Sequence, residues 1–332
     1  MNILVYGAGV LGSLYAARLQ ESGNTVSILA RGQRLADLRE YGIILEDART
    51  GHRTTTQVNV VEQLSEHDAY ELVIVLMRKQ QVAAVLPSLA ANKHVSTILF
   101  MVNNPAGPEE WISALGHERI MLGFPGAGGT RAGTVVHYHI LSRGQQATTF
   151  GELDGASSGR LAQIVQLFEK AEFPVETSPN MDAWLKTHAI WITAAATALY
   201  LSGGHTQQMA HTRDAMVLMI RAVREGFQVL RTLGIPITPA KLKIFEWLPE
   251  PLLFAFLQRL FDTKTAELVV AQHANAARDE IQELVDELQA LAAATHVPTP
   301  TMDHLFKAVN ATIPNLVKGS NKIRLNWRGT AA

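Results

Sequence analysis

The stretch Gly7-Ala8-Gly9-Val10-Leu11-Gly12 determines how the first half of this chain is interpreted. It follows the apolar run Ile3–Tyr6 and opens a helical pattern, which gives the order strand, glycine-rich loop, helix. In such a loop the first glycine permits a tight turn, the second lets the backbone approach a diphosphate, and the third lets helix pack on strand. The helix N-terminus offers free N–H groups to the phosphates. The stretch therefore predicts a dinucleotide site formed by Gly7, Gly9, Val10, Leu11 and Gly12, the alternative being a purely structural glycine turn.

Further apolar runs alternate with helical patterns over the following residues. The runs predicted as strands are Thr25–Leu29, Leu72–Leu76, Thr97–Met101 and Ile120–Leu122. The patterns predicted as helices are Leu11–Glu21, Gln33–Tyr41, Gln80–Leu89 and Pro108–Leu115. Nearly continuous apolar strands separated by helices are typical of a parallel sheet that is covered on both faces. The sequence thus predicts an α/β fold with an N-terminal Rossmann-type, mostly parallel sheet.

The remaining residues of the predicted first domain have a weaker strand pattern. Residues 42–61 are expected to form a small hairpin, and Thr134–Ile140 is expected to pair antiparallel with Thr148–Leu153. The glycine-rich Gly123–Gly129 is interpreted as a loop on the substrate side. From Asn180 onward helical periodicity dominates, including the long patterns Met181–Leu201 and Ala266–Ala294. We therefore expect a cofactor-binding domain at residues 1–178 and an all-helical substrate and catalytic domain at residues 179–332.

Composition restricts the classes of function. The chain has 332 residues, a formal net charge of −1 and no cysteine, which excludes thiolate catalysis and argues against a nucleic-acid partner. The longest apolar run, Ala189–Leu201, is shorter than the roughly 20 residues of a membrane span. His137 and His139 share one strand face, but no third ligand is apparent, so no metal is expected. These features favour a cytoplasmic protein without a membrane partner.

The end of the second predicted strand should select the nucleotide. An acidic residue there would bind the ribose hydroxyl of NAD, but none occurs between Gly23 and Ala36. The strand is followed instead by Arg31 and then Arg34, and a guanidinium suits the 2′-phosphate of NADP(H). NADP(H) is therefore the expected cofactor; the alternative is that both arginines are ordinary surface residues.

The sequence also resembles the ketopantoate reductase (2-dehydropantoate 2-reductase) family over nearly its whole length. The segments that carry the resemblance are the glycine motif with Arg31, the segment Leu76-Met77-Arg78-Lys79-Gln80-Gln81, Asn103, the stretch Leu122–Arg131, Lys186, and Glu280 upstream of Pro300 and Leu305-Phe306. The resemblance implies two domains, NADPH, and reduction of a 2-oxo acid to a 2-hydroxy acid, a reaction of pantothenate biosynthesis.

Roles for individual residues follow from the same resemblance. Lys186 would be the general acid that protonates the substrate carbonyl oxygen, and Glu280 would hold the substrate hydroxyl or the lysine. Asn103 would lie near the nicotinamide and substrate. Arg78 would lie near a cofactor phosphate or the substrate carboxylate. Taken without the resemblance, Lys186 could be a solvated lysine near a helix start, and Glu280 one member of a solvated acidic face.

The chain departs from the family pattern around the expected substrate. Family members carry asparagines four and eight residues after the lysine, where this chain has Ile190 and Ala194. Leu268 stands where the family tends to have a serine, and Asn103 is followed by Asn104-Pro105 rather than a glycine. With fewer hydrogen-bond donors for ketopantoate, the site is expected to accept a more apolar acid.

Several functions are compatible with this pattern. The first is an NADPH-dependent 2-oxo-acid reductase, which the lysine, glutamate and asparagine favour together. The second is an NADP(H)-binding redox sensor without turnover, which the lost asparagines favour. The third is a related β-hydroxyacid or polyol-phosphate dehydrogenase. The expected partner is a small 2-oxo acid, and the apolar stretch Leu252–Phe261 is either core or the interface of a homodimer.

Overall fold

The computed structural model of the chain describes residues 1–327, apart from the side chain of His273. Contacts divide it into two compact units, the first comprising Met1–Asn103 and Gly107–Asp182, the second Asn104–Ala106 and the chain from Ala183 onward. In the described range, every helix is too short or too polar to cross a membrane.

The first unit contains strands that form two sheets, with helices between them. The strands are β1 (Asn2–Tyr6), β2 (Thr25–Leu29), β3 (Ile43–Asp47), β4 (Arg53–Thr56), β5 (Asn59–Val61), β6 (Leu72–Val75), β7 (Thr97–Met101), β8 (Ile120–Phe124), β9 (Ala127–Ala132), β10 (Val135–Ile140), β11 (Thr148–Gly151) and β12 (Val175–Thr177). The helices are α1 (Val10–Glu21), α2 (Gly32–Tyr41), α3 (Leu86–Ala91), α4 (Glu109–Leu115), α5 (Arg143–Gln146) and α6 (Gly159–Lys170).

The larger sheet has eight strands in the order β12-β11-β8-β7-β6-β1-β2-β5. All neighbours are parallel except β8 and β11, and every residue of β6 is buried. Strand β2 lies beside β1 on one side and β6 lies beside β1 on the other, so the strand order reverses direction at β1. Open α/β sheets bind ligands at the carboxyl ends of strands beside such a reversal. The predicted Rossmann-type fold is confirmed, and it positions the loops after β1 and β6.

The smaller sheet has the order β4-β3-β10-β9, and its pairing corrects two predictions. Strand β10 pairs with β9 and β3, whereas β11 pairs with β8 and β12, so the predicted pairing of residues 134–140 with 148–153 is wrong. Residues 123–129 are not one loop, because they end β8 and begin β9. A Cβ at Gly126 would lie 2.4 Å from Thr148 N, and one at Gly129 would lie 2.2 Å from His137 O. These glycines permit close approach of neighbouring backbone.

The chain that follows is helical, as predicted. The helices are α7 (Met181–Leu201), α8 (Thr206–Ala210), α9 (Arg213–Thr232), α10 (Ile244–Trp247), α11 (Glu250–Phe261), α12 (Lys264–Ala266), α13 (Gln272–Ala276), α14 (Arg278–Ala293) and α15 (Pro300–Phe306). The single helix predicted at residues 266–294 is wrong, because a π-helical turn at Glu267–Ala271 and a break at Ala277 interrupt it. The hydroxyl of Tyr200 donates to the Ala274 carbonyl just before the break, a tertiary contact that periodicity does not reveal.

A buried carboxylate anchors the end of the described chain to helix α9. Asp214 is 2% exposed and accepts hydrogen bonds from the Lys322 and Ile323 backbone N–H groups at 3.0 and 2.9 Å, and from the Ser320 hydroxyl. Burial opposes ionisation of Asp214, but the hydrogen bonds from Ser320 and the two backbone groups outweigh it. The pKa of Asp214 therefore lies below its ordinary value.

Replacing Asp214 by asparagine is expected to lower the free energy of unfolding by about 2 kcal/mol near neutral pH, because charged hydrogen bonds are lost. Because the pKa of Asp214 is lower in the folded state than in the unfolded state, its charge stabilises the folded protein at pH values above the unfolded-state pKa. This stabilisation is lost as the pH falls through the folded-state pKa. Urea unfolding of wild type and Asp214→Asn at about pH 7 and about pH 2.5, which is below the ordinary pKa of an aspartate, should therefore show a smaller difference at the lower pH. An equal difference at both pH values would contradict the assigned role of the charge.

Candidate cofactor and catalytic sites

The glycine loop after β1 is fixed by backbone contacts at its first and last glycines. Gly7 has a φ of 125°, a conformation that favours glycine, and a Cβ there would lie 2.1 Å from the Leu76 carbonyl oxygen. A Cβ at Gly12 would lie 1.8 Å from the carbonyl oxygen of Gly7. Both positions therefore require glycine so that the loop can pack against the end of β6 and against itself.

Gly9 differs from these two glycines because no heavy atom lies within 4 Å of where its Cβ would be. It is the N-cap residue of α1, and the first turn of α1 contains no acidic residue. The backbone N–H groups of Val10 and Leu11 belong to the first turn, where intrahelical partners are lacking. Open space over bare backbone at a helix N-terminus fits the diphosphate of a dinucleotide.

The two arginines after β2 lie in different surroundings. Arg31 is exposed and is the N-cap residue of α2. Arg34 is half-buried, and its guanidinium donates from Nε to the Ala8 carbonyl at 3.2 Å and from Nη2 to Ser13 Oγ at 2.8 Å. Burial, and then the charge of Arg131, lower the pKa of Arg34. Sequence reasoning missed Ser13, which is fully buried, because a serine after the last glycine belongs to no motif.

Arg78 and Asn103 follow the next two parallel strands of the sheet. Arg78 comes after β6 and is the N-cap residue of a 3₁₀ turn, and Asn103 comes after β7 and is half-buried. Because β1, β6 and β7 are adjacent and parallel, their carboxyl ends meet at one edge of the sheet. The first unit therefore brings the glycine loop, Arg78 and Asn103 to the same edge.

The second unit contains Lys186 and Glu280, which are both buried. Lys186 lies on α7 and is 6% exposed, and Glu280 lies in the first turn of α14 and is 5% exposed. One turn after the lysine, Ile190 packs against α9, where a Cβ at Gly226 would lie 2.6 Å from Ile190 Cγ2. Ala194 belongs to the same apolar core. The helix face on which the family carries asparagines is thus apolar and closely packed in this chain.

Residues 1–327 contain no group of three His, Asp or Glu side chains arranged to hold a metal ion. His137, one of the two histidines considered for a metal, has its Nδ1 atom 3.0 Å from a carboxylate oxygen of Glu46.

Comparisons with known proteins identify relatives of this chain. A family model described as ketopantoate reductase PanE/ApbA matches residues 3–155. A 2-dehydropantoate 2-reductase from Listeria innocua is 27% identical over 235 residues, which cover 69% of this chain and 75% of that protein. These sequence matches confirm the resemblance to the ketopantoate reductases.

Solved structures show the same fold over nearly the whole chain. The 2-dehydropantoate 2-reductase from Geobacter metallireducens aligns with a TM-score of 0.76 at 18% identity, covering 94% of this chain and 100% of that one. D-mandelate dehydrogenase, solved with NADH and anilino(oxo)acetate, also aligns with a TM-score of 0.76 at 18% identity, covering 94% and 98%. At these identities the likeness concerns the fold alone.

Proposed function

Since this chain is a divergent relative of the ketopantoate reductases, we propose that it is an NADPH-dependent reductase that converts a 2-oxo acid into a 2-hydroxy acid. The burial of Lys186 carries the proposal, because its side chain is only 6% exposed on a largely apolar helix. Lysine is almost never this buried in a folded protein, and a buried cation on an apolar helix is a candidate for a chemical role. The open space over Gly9 supports the cofactor half of the proposal.

In this proposal the protein supplies the proton and holds the substrate. When bound, NADPH supplies a hydride to the substrate carbonyl carbon. The carbonyl oxygen then becomes a strong base, and the Lys186 ammonium stabilises its charge and donates a proton to it. Glu280 orients the lysine or the substrate hydroxyl, and Asn103 contacts the nicotinamide and substrate. Arg78 binds a cofactor phosphate or the substrate carboxylate.

The preference for NADPH is assigned to Arg31. Its guanidinium is exposed at the start of α2, directly after β2, where the adenosine ribose of a Rossmann-bound dinucleotide lies. A bidentate guanidinium–phosphate contact would be made with NADPH and not with NADH.

The variant Arg31→Ala is expected to bind NADPH at least about tenfold more weakly while its affinity for NADH stays unchanged, since only NADPH carries the 2′-phosphate. Titration of intrinsic fluorescence with each cofactor measures both affinities. The matched control is Arg39→Ala on the same helix, because Arg39 pairs with Glu62 at 3.1 Å on the surface. Equal weakening of both cofactors in Arg31→Ala would refute the assignment.

The substrate is proposed to be more apolar than ketopantoate. The face of α7 that follows Lys186 presents Ile190 and Ala194, both at most 2% exposed, where the family resemblance implies amide groups. The D-mandelate dehydrogenase with this fold was solved with anilino(oxo)acetate, which bears an aryl group. A panel of ketopantoate, 2-oxoisovalerate and phenylglyoxylate, followed by NADPH absorbance, should therefore show the highest kcat/KM for an acid other than ketopantoate.

The packing of Ile190 against Gly226 also favours a second function, an NADP(H)-binding redox sensor. A closely packed apolar face leaves less room for substrate-binding donors, which turnover needs and cofactor sensing does not. The same panel separates the two functions. Consumption of NADPH with any acid supports the reductase, whereas NADPH binding without consumption of any acid supports the sensor.

A further inference from the structure

Arg34 makes contacts that a role at the 2′-phosphate does not require. Its Nε atom donates to the Ala8 carbonyl at 3.2 Å, and its Nη2 atom donates to Ser13 Oγ at 2.8 Å. The Ser13 hydroxyl also lies 3.5 Å from the same carbonyl. The guanidinium therefore joins the first turn of α2 to both the glycine loop and helix α1.

The position of the Ala8 carbonyl determines the direction of one hydrogen-bond donor of the loop, the Gly9 N–H group. It belongs to the peptide that links Ala8 to Gly9, and in a planar trans peptide the C=O and N–H bonds point in opposite directions. Fixing the carbonyl oxygen therefore fixes the direction of the Gly9 N–H group. A charged donor on the oxygen also polarises the peptide and makes that N–H a stronger donor. Within residues 1–327 the Gly9 N–H has no hydrogen-bond acceptor.

Stability alone does not explain an arginine at this position. Its Nη1 atom is buried and has no hydrogen-bond partner among the described residues. The positive charge of Arg131 lies nearby, and the two cations repel each other. An uncharged side chain would avoid both costs, so the guanidinium is expected to serve the loop and not the fold.

We infer that Arg34 is a positioning residue of the cofactor loop, which holds and polarises the Ala8–Gly9 peptide so that the Gly9 N–H faces the diphosphate. This inference rests on the proposed function, because it requires a dinucleotide. It assigns Arg34 to the diphosphate, which NADPH and NADH share, and leaves the 2′-phosphate to Arg31.

Binding of NADPH, NADH and 2′-AMP to Arg34→Met tests the inference. Both dinucleotides should bind about tenfold more weakly, by the same factor, because a charged hydrogen bond to their site is lost. Binding of 2′-AMP, which has no diphosphate, should stay unchanged. If Arg34→Met instead bound NADPH and 2′-AMP more weakly but bound NADH normally, the inference would be overturned, since Arg34 would then contact the 2′-phosphate. The control is Arg39→Met on the same helix.

Two further measurements separate positioning from a general structural role. In Arg34→Ala, added ethylguanidinium should restore dinucleotide affinity, which a merely misfolded loop would not regain. Arg34→Lys, which keeps one charged donor, should lose less affinity than Arg34→Met, and an equal loss would count against the inference. If wild type binds neither dinucleotide, the proposed function fails; if wild type binds both and Arg34→Met binds them equally well, only the inference fails.

Discussion

Replacing Lys186 by methionine is expected to lower kcat by about 10²–10⁴-fold, the usual contribution of a general acid. Methionine keeps most of the apolar stem and removes the ammonium, so the fold and NADPH binding should be retained. Single-turnover oxidation of NADPH with the best acid of the panel measures the chemical step. Lys307→Met, which removes an exposed lysine of the same unit, is the control.

A second variant at this position separates proton donation from electrostatic stabilisation. Lys186→Arg keeps a positive charge, but a guanidinium stays protonated and is a poor general acid. If Lys186 donates the proton, the arginine variant should be nearly as slow as the methionine variant. Recovery of most of the rate would mean that charge alone is needed, and wild-type rates in both variants would remove Lys186 from the chemistry.

The elements of the fold that depend on local pattern could be predicted from sequence. The apolar runs that form β2 and β7 end where periodicity places them, and the full length of α7 follows from its apolar pattern. Strand pairing could not be predicted, because β10 and β11 have similar patterns but lie in different sheets. Gly126 and Gly129 permit close approach of the backbone at Thr148 and His137, but in sequence they look like loop residues.

The candidate site was predictable to a different degree in each unit. The glycine motif predicts a tight turn at Gly7 and close packing at Gly12, and both positions have backbone where a Cβ would lie; the approach of a diphosphate at Gly9 stays a prediction. The contact from Arg34 to Ala8 and Ser13 was not predictable, because it depends on how α2 packs beside the loop. The packing of Ile190 on Gly226 joins two helices distant in sequence, so only the loss of a polar residue was visible beforehand.

The difference between Gly9 and Gly12 leads to the second large expected effect. Gly9→Val should weaken binding of NADPH and NADH about 100-fold or more, because a branched side chain would occupy the space over the loop and displace at least two charged hydrogen bonds. The fold should tolerate the change, since Gly9 has an extended backbone and nothing lies within 4 Å of its added Cβ. The melting temperature of the Gly9→Val variant should therefore stay close to that of wild type.

Gly12→Val supplies the contrast that makes this result interpretable. Its Cβ would lie 1.8 Å from the Gly7 carbonyl oxygen, so backbone must move and both stability and cofactor binding should be lost. If the motif were only a structural turn, the two variants would still differ in stability, but Gly9→Val would bind NADPH and NADH no more weakly than wild type does. Loss of binding in Gly9→Val without loss of stability is expected only if the space over Gly9 receives the cofactor. Differential scanning fluorimetry with and without NADPH measures both quantities for each variant, since a ligand that binds the folded state raises Tm.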